Sequence, residues 1–355
     1  MKKISGDTFN IQKQKYPIMP DKVKDVGPET KMLKEILQEP SAIHASVKSS
    51  STKIPEAVEA IKSSKLVYIT GSGTSYHLGL IIQLNLLRSG IPAVAIRAPE
   101  FSHFISNKMK NAISILISQS GESADILECL ETCKKMDIRT ICITNTKNSF
   151  LANGVDIPLL TDAGAEESVA ATKSFVSGLV PAYLVLSMLN DFEGIEYLKS
   201  AAKEISEILG IRQTLEGLSS KFQRKIVFLG DGYLHPIAME AALKFRETCN
   251  LTTDAYPVRE YLHGPIQTLD NDTTVVIFYN DQSIIIEDTE PKLRQYTSSV
   301  FKIGTSNTAD IVLNPLEIAL TPFIFATVIQ LLANFTSVHL GLNPDSPTHL
   351  SKIVK

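Results

Sequence analysis

The residues best able to do chemistry in this chain are short and hydroxylated. Ser118-Gln119-Ser120-Gly121-Glu122-Ser123 packs three serine hydroxyls and one side-chain amide into six positions. The apolar run 112–117 before it reads as a buried strand and the amphipathic stretch after it as a helix, so the turn falls at a helix N-terminus. Free backbone N–H groups and the positive end of the helix dipole favour an anion there, and neutral hydroxyls can complete the shell of a phosphate without a fixed cation. Glu122 lies in the first turn, where a carboxylate suits the dipole but competes with a bound anion, so its side chain is expected to turn away. Taken alone, the motif also fits an ordinary capped helix, since serine is a common N-cap residue.

A second turn of the same kind shifts that balance. Leu66-Val67-Tyr68-Ile69-Thr70 runs into Gly71-Ser72-Gly73-Thr74-Ser75 and then into a helical pattern over 76–88. The spacing imitates a dinucleotide fingerprint, yet Tyr76 stands where the third glycine belongs and Arg97 where an acidic ribose partner is expected. A nicotinamide cofactor is therefore disfavoured, and nothing calls for another cofactor or a metal. Two hydroxyl turns at the carboxyl ends of two strands suit a small phosphorylated ligand, which open parallel sheets bind in that crevice.

Acid–base groups come from further along the chain. Glu240, Lys244 and Glu247 stand at i, i+4 and i+7, hence on one face of a helix over 236–248. A solvated stripe would show the same spacing, but Ala238, Ala241, Ala242 and Leu243 around the charges argue for packing. Partial burial would raise a carboxylate there toward the range a general base uses. Tyr261-Leu262-His263-Gly264-Pro265 sets a histidine beside a Gly-Pro turn; histidines in loops are commonly structural, but titration near neutrality suits opening a sugar ring. The polar tail Pro347-Thr348-His349-Leu350-Ser351-Lys352 gives Lys352 a chemical role only if the tail docks.

These residues need a scaffold, and the chain repeats one. Strand 66–70, glycine turn and helix are echoed by strand 225–229, the turn Gly230-Asp231-Gly232-Tyr233 and a helix over 236–246. Strand 113–117 is echoed by 274–279, but Asn280-Asp281-Gln282 replaces the serine cluster. Further first-half strands read at 92–97, 140–144 and 156–159, and 193–222 reads as one long connecting helix. The fold class is therefore α/β, two tandem doubly wound parallel-sheet domains with a single phosphate site in the first. The expected organisation is an irregular arm at 1–30, domains at 31–210 and 211–340, and a tail at 341–355.

Composition narrows the class further. At 355 residues, a net charge of −3 and 21% charged residues, the chain suits two domains and offers no basic field for nucleic acid. Cys129, Cys133, Cys142 and Cys249 lack paired metal spacing and are expected as reduced thiols in a cytoplasmic protein. Residues 1–28 have no apolar core, so they are expected to be neither a signal peptide nor a span. The stretch 318–333 is nearly all apolar, but Thr321-Pro322 reads as the N-cap and N1 of a helix, and Gln330, Asn334 and His339 interrupt the apolar run before it reaches a bilayer's thickness; it is expected as a buried helix, not a membrane span.

Together, Gly73-Thr74-Ser75-Tyr76, the 118–123 turn, Gly164-Ala165-Glu166-Glu167-Ser168-Val169-Ala170-Ala171-Thr172-Lys173, Leu262-His263-Gly264-Pro265 and Leu350-Ser351-Lys352 resemble the sugar isomerase (SIS) domain family, as in the isomerase half of glucosamine-6-phosphate synthases. Met32-Leu33-Lys34-Glu35-Ile36 before Gln38-Glu39-Pro40 is similar to that family's entry into its isomerase half, and the resemblance runs from about residue 31 to the end. It implies a three-layer flavodoxin-like fold. It also implies that Thr74, Ser75, Ser118, Gln119, Ser120 and Ser123 hold a sugar phosphate, with Val169 and Ser351 lining the sugar. Glu247 would move a proton between C1 and C2, Lys352 would contact the open-chain ketose or form a Schiff base with it, and His263 would open the ring from the neighbouring subunit of a homodimer.

Departures from that family bear on the reaction. The arm is too short for the synthases' glutaminase domain, so no ammonia from glutamine is expected within this chain. Ala171 replaces a serine that touches the sugar, and Ser72 a cysteine beside the phosphate loop. The expected activity is interconversion of glucosamine 6-phosphate with fructose 6-phosphate and ammonia, in the deaminating direction. Its rivals are deglycation of phosphorylated fructosamines, an isomerase subunit fed by a separate glutaminase, and a non-catalytic sugar-phosphate sensor.

Overall fold

Parallel pairing throughout decides the architecture. The computed structural model describes residues 30–106, 111–280 and 286–352; the arm at 1–28 and the Asp281-Gln282 part of the second-copy loop lie outside them. Helices α1 (Lys31–Ile36), α2 (Glu39–Ser50) and α3 (Ile54–Ser63) lead into β1 (Leu66–Gly71), α4 (Thr74–Arg88), β2 (Ala93–Arg97), α5 (Phe101–Phe104), β3 (Ala112–Ile117), α6 (Ala124–Lys135), β4 (Arg139–Thr144), α7 (Phe150–Gly154) and β5 (Ile157–Leu160). Helices α8 (Lys173–Leu189), α9 (Gly194–Gly210) and α10 (Arg212–Ser219) cross to β6 (Lys225–Leu229), α11 (Leu234–Cys249), β7 (Thr252–Tyr256), β8 (Thr273–Tyr279), α12 (Ile286–Leu293), β9 (Val300–Gly304), β10 (Ile311–Val312) and α13 (Thr321–His339).

Each half builds a five-stranded sheet, in the orders β2-β1-β3-β4-β5 and β7-β6-β8-β9-β10, with every pair parallel. Both are the doubly wound order whose strand sequence reverses between the first and third strands, and ligands sit outside that reversal. The two hydroxyl turns follow β1 and β3, so the sequence places them at the first sheet's reversal point. Parallel strands are covered on both faces, which is why they read as nearly unbroken apolar runs; all seven residues of β8 are buried.

One continuous core runs from Met32 through the inner faces of both sheets to Phe335, while separate apolar clusters, including Phe101 and Leu116 or Val275 and Ile277, cover the outer faces. The halves therefore share their inner helical layer. The segment from Ile318 to His339 is long and apolar enough to cross a membrane, but 94% of its apolar window is buried inside the protein. Its polar residues find partners there: Asn334 Oδ1 accepts from the Thr30 hydroxyl at 2.6 Å, and the Gln330 amide donates to the Thr172 carbonyl at 3.3 Å.

Two local expectations are corrected. The connecting helix over 193–222 is two helices, α9 and α10, broken at Ile211. Gly210 is a poor helix former, and the Ile211 N–H is shared between the Glu207 and Ile208 carbonyls, a tightening that closes α9. Thr321 is not the N-cap of α13: a single turn, Ile318–Leu320, runs straight into the helix, so the Thr321 hydroxyl donates back to the Ile318 carbonyl. Glu317 caps that turn instead, accepting from the Ala319 N–H at 2.9 Å.

Candidate active site

The first hydroxyl turn is tight because β1 ends in glycine. A Cβ on Gly71 would lie 2.8 Å from the Ser75 backbone and Cβ, so only glycine lets the chain fold back to start α4 there. The second turn is held by the end of β4: the Asn145 N–H and the Thr144 hydroxyl both donate to the Gln119 carbonyl, at 3.1 and 3.2 Å. Gly121 adopts φ +67°, and a Cβ there would meet Ser149 Oγ at 2.2 Å. Ser118 Oγ accepts from the Gly121 N–H at 3.1 Å and Ser120 Oγ from the Glu122 N–H at 3.2 Å, which leaves both hydroxyl protons to donate to an anion. Ser123 precedes α6 without capping it. Glu122 turns away as expected, its Oε1 accepting from the Phe150 N–H at 3.0 Å.

Between the turns lies about 380 Å³ of empty space, part of it open to solvent, lined by Thr74, Ser75, Gln119, Thr144, Asn145 and Ala171 among others. The second half meets this region through α11, which packs against α4. Thr74 Oγ1 donates to Glu240 Oε1 at 2.9 Å, so its proton is committed to joining α4 to α11. His77 Nδ1 lies 2.6 Å from Glu240 Oε2. Because an ionised carboxylate only accepts, Nδ1 carries the hydrogen in this pair.

Glu240, Lys244 and Glu247 do share a face, buried at Glu240 and Lys244, whose side chains are 1% exposed, and partly open at Glu247, which is 21% exposed. Lys244 Nζ pairs with Glu247 and lies 3.5 Å from Glu240 Oε1. The expectation of a raised carboxylate fails at Glu240. Burial works to raise it, but the Lys244 ammonium and the His77 bond prevail and hold it below the usual range. For Lys244 burial works downward, and the Glu247 and Glu240 charges outweigh it and hold the ammonium above its ordinary value.

The tail docks. Asp345 Oδ1 and Oδ2 accept the Met32 and Lys31 N–H groups at 2.8 Å each, so the tail's carboxylate sits on the first turn of α1. Its carbonyl receives the Val169 N–H at 3.3 Å. Lys352 Nζ then donates to Glu166 Oε2 at 2.9 Å and to the Ser168 carbonyl at 2.6 Å. Glu166 is buried, which by itself would raise it, but Lys352 and the Thr172 and Ser174 donors keep it ionised below the usual range. Glu35 secures the same loop by accepting from the Glu167 N–H and from the Ser168 N–H and hydroxyl. Lys352→Ala should release the tail, since a hydrogen bond between charged groups is worth about 1.5–3 kcal/mol. Hydrogen exchange over 343–352 is expected to quicken about tenfold or more with α13 unaffected, and unchanged exchange would refute the docking.

Ser75, Ser118, Gln119, Ser120 and Ser123 thus gather around the first sheet's reversal point, with Glu247 on α11 and Val169 and Lys352 on the docked tail and its loop. Ser351 is exposed beside Lys352. His263 is not drawn in: it ends the turn Glu260–His263, exposed, and makes no hydrogen bond or ion pair within the chain among the described residues. The residues that spacing alone missed are His77, Glu35 and Asp345, and the anchoring role of Glu166. The thiols are inert, burial pushing Cys129, Cys142 and Cys249 up to about 12 and Cys133 to about 11.

Known proteins share this fold. The chain is 33% identical over 342 residues to the glutamine–fructose-6-phosphate aminotransferase [isomerizing] of Sulfolobus acidocaldarius, covering 91% of itself and 56% of that protein. It therefore spans a little over half the length of the curated relatives it matches. The C-terminal domain of glucosamine-fructose-6-phosphate aminotransferase from Francisella tularensis superposes with a TM-score of 0.80 at 26% identity, over 90% of this chain and 99% of that one. A glucosamine-6-phosphate deaminase from Thermotoga maritima gives 0.80 at 25% identity, over 92% and 99%. The SIS domain family matches residues 60–188 and 221–283, which hold all five strands of the first sheet and β6, β7 and β8 of the second, and this chain belongs to it.

Proposed function

We propose that this chain is an amino-sugar phosphate isomerase that interconverts glucosamine 6-phosphate with fructose 6-phosphate and ammonia, working in the deaminating direction. The observation that carries the reading is the joining of two unlike sets of groups: neutral hydroxyls and amides at the first sheet's reversal point, and the Glu240–Lys244–Glu247 face of α11, which the Thr74–Glu240 bond ties to the first of those turns. Ser75, Ser118, Gln119, Ser120 and Ser123 hold the phosphate, and that remote grip places the reacting carbons. Glu247 carries the proton between C1 and C2. Lys352 is held as an ammonium by Glu166 and the Ser168 carbonyl, so it acts first as a cationic contact to the open-chain sugar. Forming a Schiff base would require it to leave Glu166 and give up a proton. His263, exposed and unengaged, suits ring opening in the site of a second copy, which makes a homodimer part of the proposal.

A second reading has specific support: the curated relatives are aminotransferases of which this chain spans a little over half, and it superposes on the C-terminal domain of one, which fits a subunit that receives ammonia from a separate glutaminase. Ammonia release from glucosamine 6-phosphate, measured beside lysine release from fructoselysine 6-phosphate, separates a deaminase from a deglycase. Release from neither, with fructose 6-phosphate consumed when ammonia is supplied, would favour the subunit reading. Ser120→Ala tests the cradle. One hydroxyl to a charged oxygen is worth about 1.5–3 kcal/mol, so KM should rise at least about tenfold with kcat nearly unchanged, the loss being equal in ground and transition states. An unmoved KM would make the turn structural only.

A further inference from the structure

Behind the Glu166–Lys352 pair lies a buried polar cluster that the proposed chemistry does not use. Glu39 opens α2 with its side chain fully buried, at 0% exposure. Its Oε2 accepts from the Thr327 hydroxyl of α13 at 2.5 Å, while Oε1 has no hydrogen-bond partner. Gln330, nearly one turn further along α13 and beside Glu39, is in the same condition: Nε2 donates to the Thr172 carbonyl, and Oε1 has no partner. A buried polar atom left without a partner costs about 1–3 kcal/mol, and here two such oxygens belong to neighbouring side chains.

An ionised Glu39 cannot satisfy them, because both oxygens would then be acceptors. Rotating the Gln330 amide toward the carboxylate would turn its oxygen onto the Thr172 carbonyl, exchanging one fault for another. A proton on Glu39 Oε1 would give the neighbouring Gln330 Oε1 a donor, burial favouring that neutral form against the Thr327 and Gln330 hydrogen bonds, which favour the ionised one. The charges around the site agree. The charged group bearing on Glu39 is Glu166, from the segment over 161–172, and it is ionised against Lys352. The face of α13 offers only the neutral Thr327 and Gln330, and Lys173 of α8 is spent on Gln38 Oε1 at 2.7 Å. Neighbouring carboxylates in a dry site resist ionising together, and Glu166 holds the lysine.

We propose that Glu39 is a positioning residue: a neutral carboxylic acid that bridges Thr327 and Gln330 and, through the Thr172 carbonyl, fixes the loop over 164–172 in the form whose Glu166 holds Lys352. Its consequence for turnover rests on the proposed role of Lys352; the latch itself rests on geometry. Burial pushes the Glu39 carboxyl up to about 8. The folded protein therefore keeps a proton that the unfolded chain gives up near the ordinary glutamate value. The stabilisation is complete in acid, shrinks as pH rises, and is gone once pH has passed about 8.

The experiment compares the whole wild-type chain with Glu39→Gln and Glu39→Leu by thermal melting and by hydrogen exchange. Glutamine puts an amide N–H where the acid O–H stands and cannot titrate; leucine offers no donor. Near about pH 6.5 the wild type and Glu39→Gln should exchange alike over 164–172, and near about pH 9.5 the wild-type loop should exchange about tenfold faster. The wild-type melting temperature should fall relative to Glu39→Gln between about pH 5 and 8 and then run parallel to it. Glu39→Leu should loosen the loop at both pH values and lower kcat with KM for the hexose phosphate unmoved, both restored by glutamine. Identical pH profiles for the wild type and Glu39→Gln would overturn the latch, as would a loop in Glu39→Gln as loose as in the leucine variant at the lower pH. If Glu39→Leu does not fold, the glutamine comparison decides. If no hexose phosphate is turned over, the isomerase reading fails while melting and exchange still judge Glu39.

Discussion

Glu247→Gln should lower kcat about a thousandfold while leaving KM for the hexose phosphate within about twofold, as expected when a positioned general base is lost and binding is not. The substitution is conservative for the fold. A glutamine oxygen still accepts from Lys244 Nζ, and Glu240 remains 3.5 Å from that ammonium, so the buried cation keeps a counter-charge. The phosphate grip lies on the turns of the first half and should hold. What disappears is the ability to take a proton from one carbon and return it to the next. Steady-state kinetics with a separate calorimetric titration of hexose phosphate would show the split. A variant with wild-type kcat would remove Glu247 as the base and leave Lys244 or Lys352 to be considered for that step. A variant that melts much lower would show instead that the charge at 247 supports the fold.

How much of this was legible from the residues depends on the range over which each signal acts. Strand 225–229 was readable to the residue, because a buried parallel strand bounded by a glycine turn is a local pattern. The hydroxyl turns were readable for the same reason, since a turn and the helix it starts are contiguous in sequence. The break at Ile211 was not, because a composition rich in Ala, Glu, Lys and Leu continues across it and only the shared carbonyl bonds mark it. The i, i+4, i+7 face was legible, but the sign of the Glu240 shift was not, since besides Lys244 it draws on His77 and Thr74, 163 and 166 residues away. Glu35 to Ser168, Thr327 to Glu39 and Lys31 to Asp345 likewise join positions 133, 288 and 314 residues apart. No spacing rule reaches that far, so the acids that fix the tail and loop look, in sequence, like ordinary helix and loop charges.

Lys244→Met should be the most destabilising of these changes, by about 3–5 kcal/mol, because it removes the cation from a buried group and leaves its carboxylates behind. Glu240, 1% exposed, would keep only the Thr74 hydroxyl and His77, and Glu247 would lose its ion-pair partner. On the usual scale for larger domains the melting temperature should fall on the order of 10 °C. The loss should also depend on pH in a set direction. In the wild type Lys244 and His77 hold Glu240 below the usual range, so that stabilisation is present above the ordinary glutamate value and is lost as pH falls. Without the lysine, protonation relieves Glu240, and the gap between wild type and variant should narrow below about pH 5. The double variant Glu240→Gln with Lys244→Met should recover part of the stability, because the stranded charge is then gone as well. Calorimetric melting across pH measures all three effects. A single substitution costing under about 1 kcal/mol, with no pH dependence, would mean that water reaches this face and screens it like a surface pair. The buried face of α11, on which the assignment of Glu247 as base depends, would then have to be abandoned.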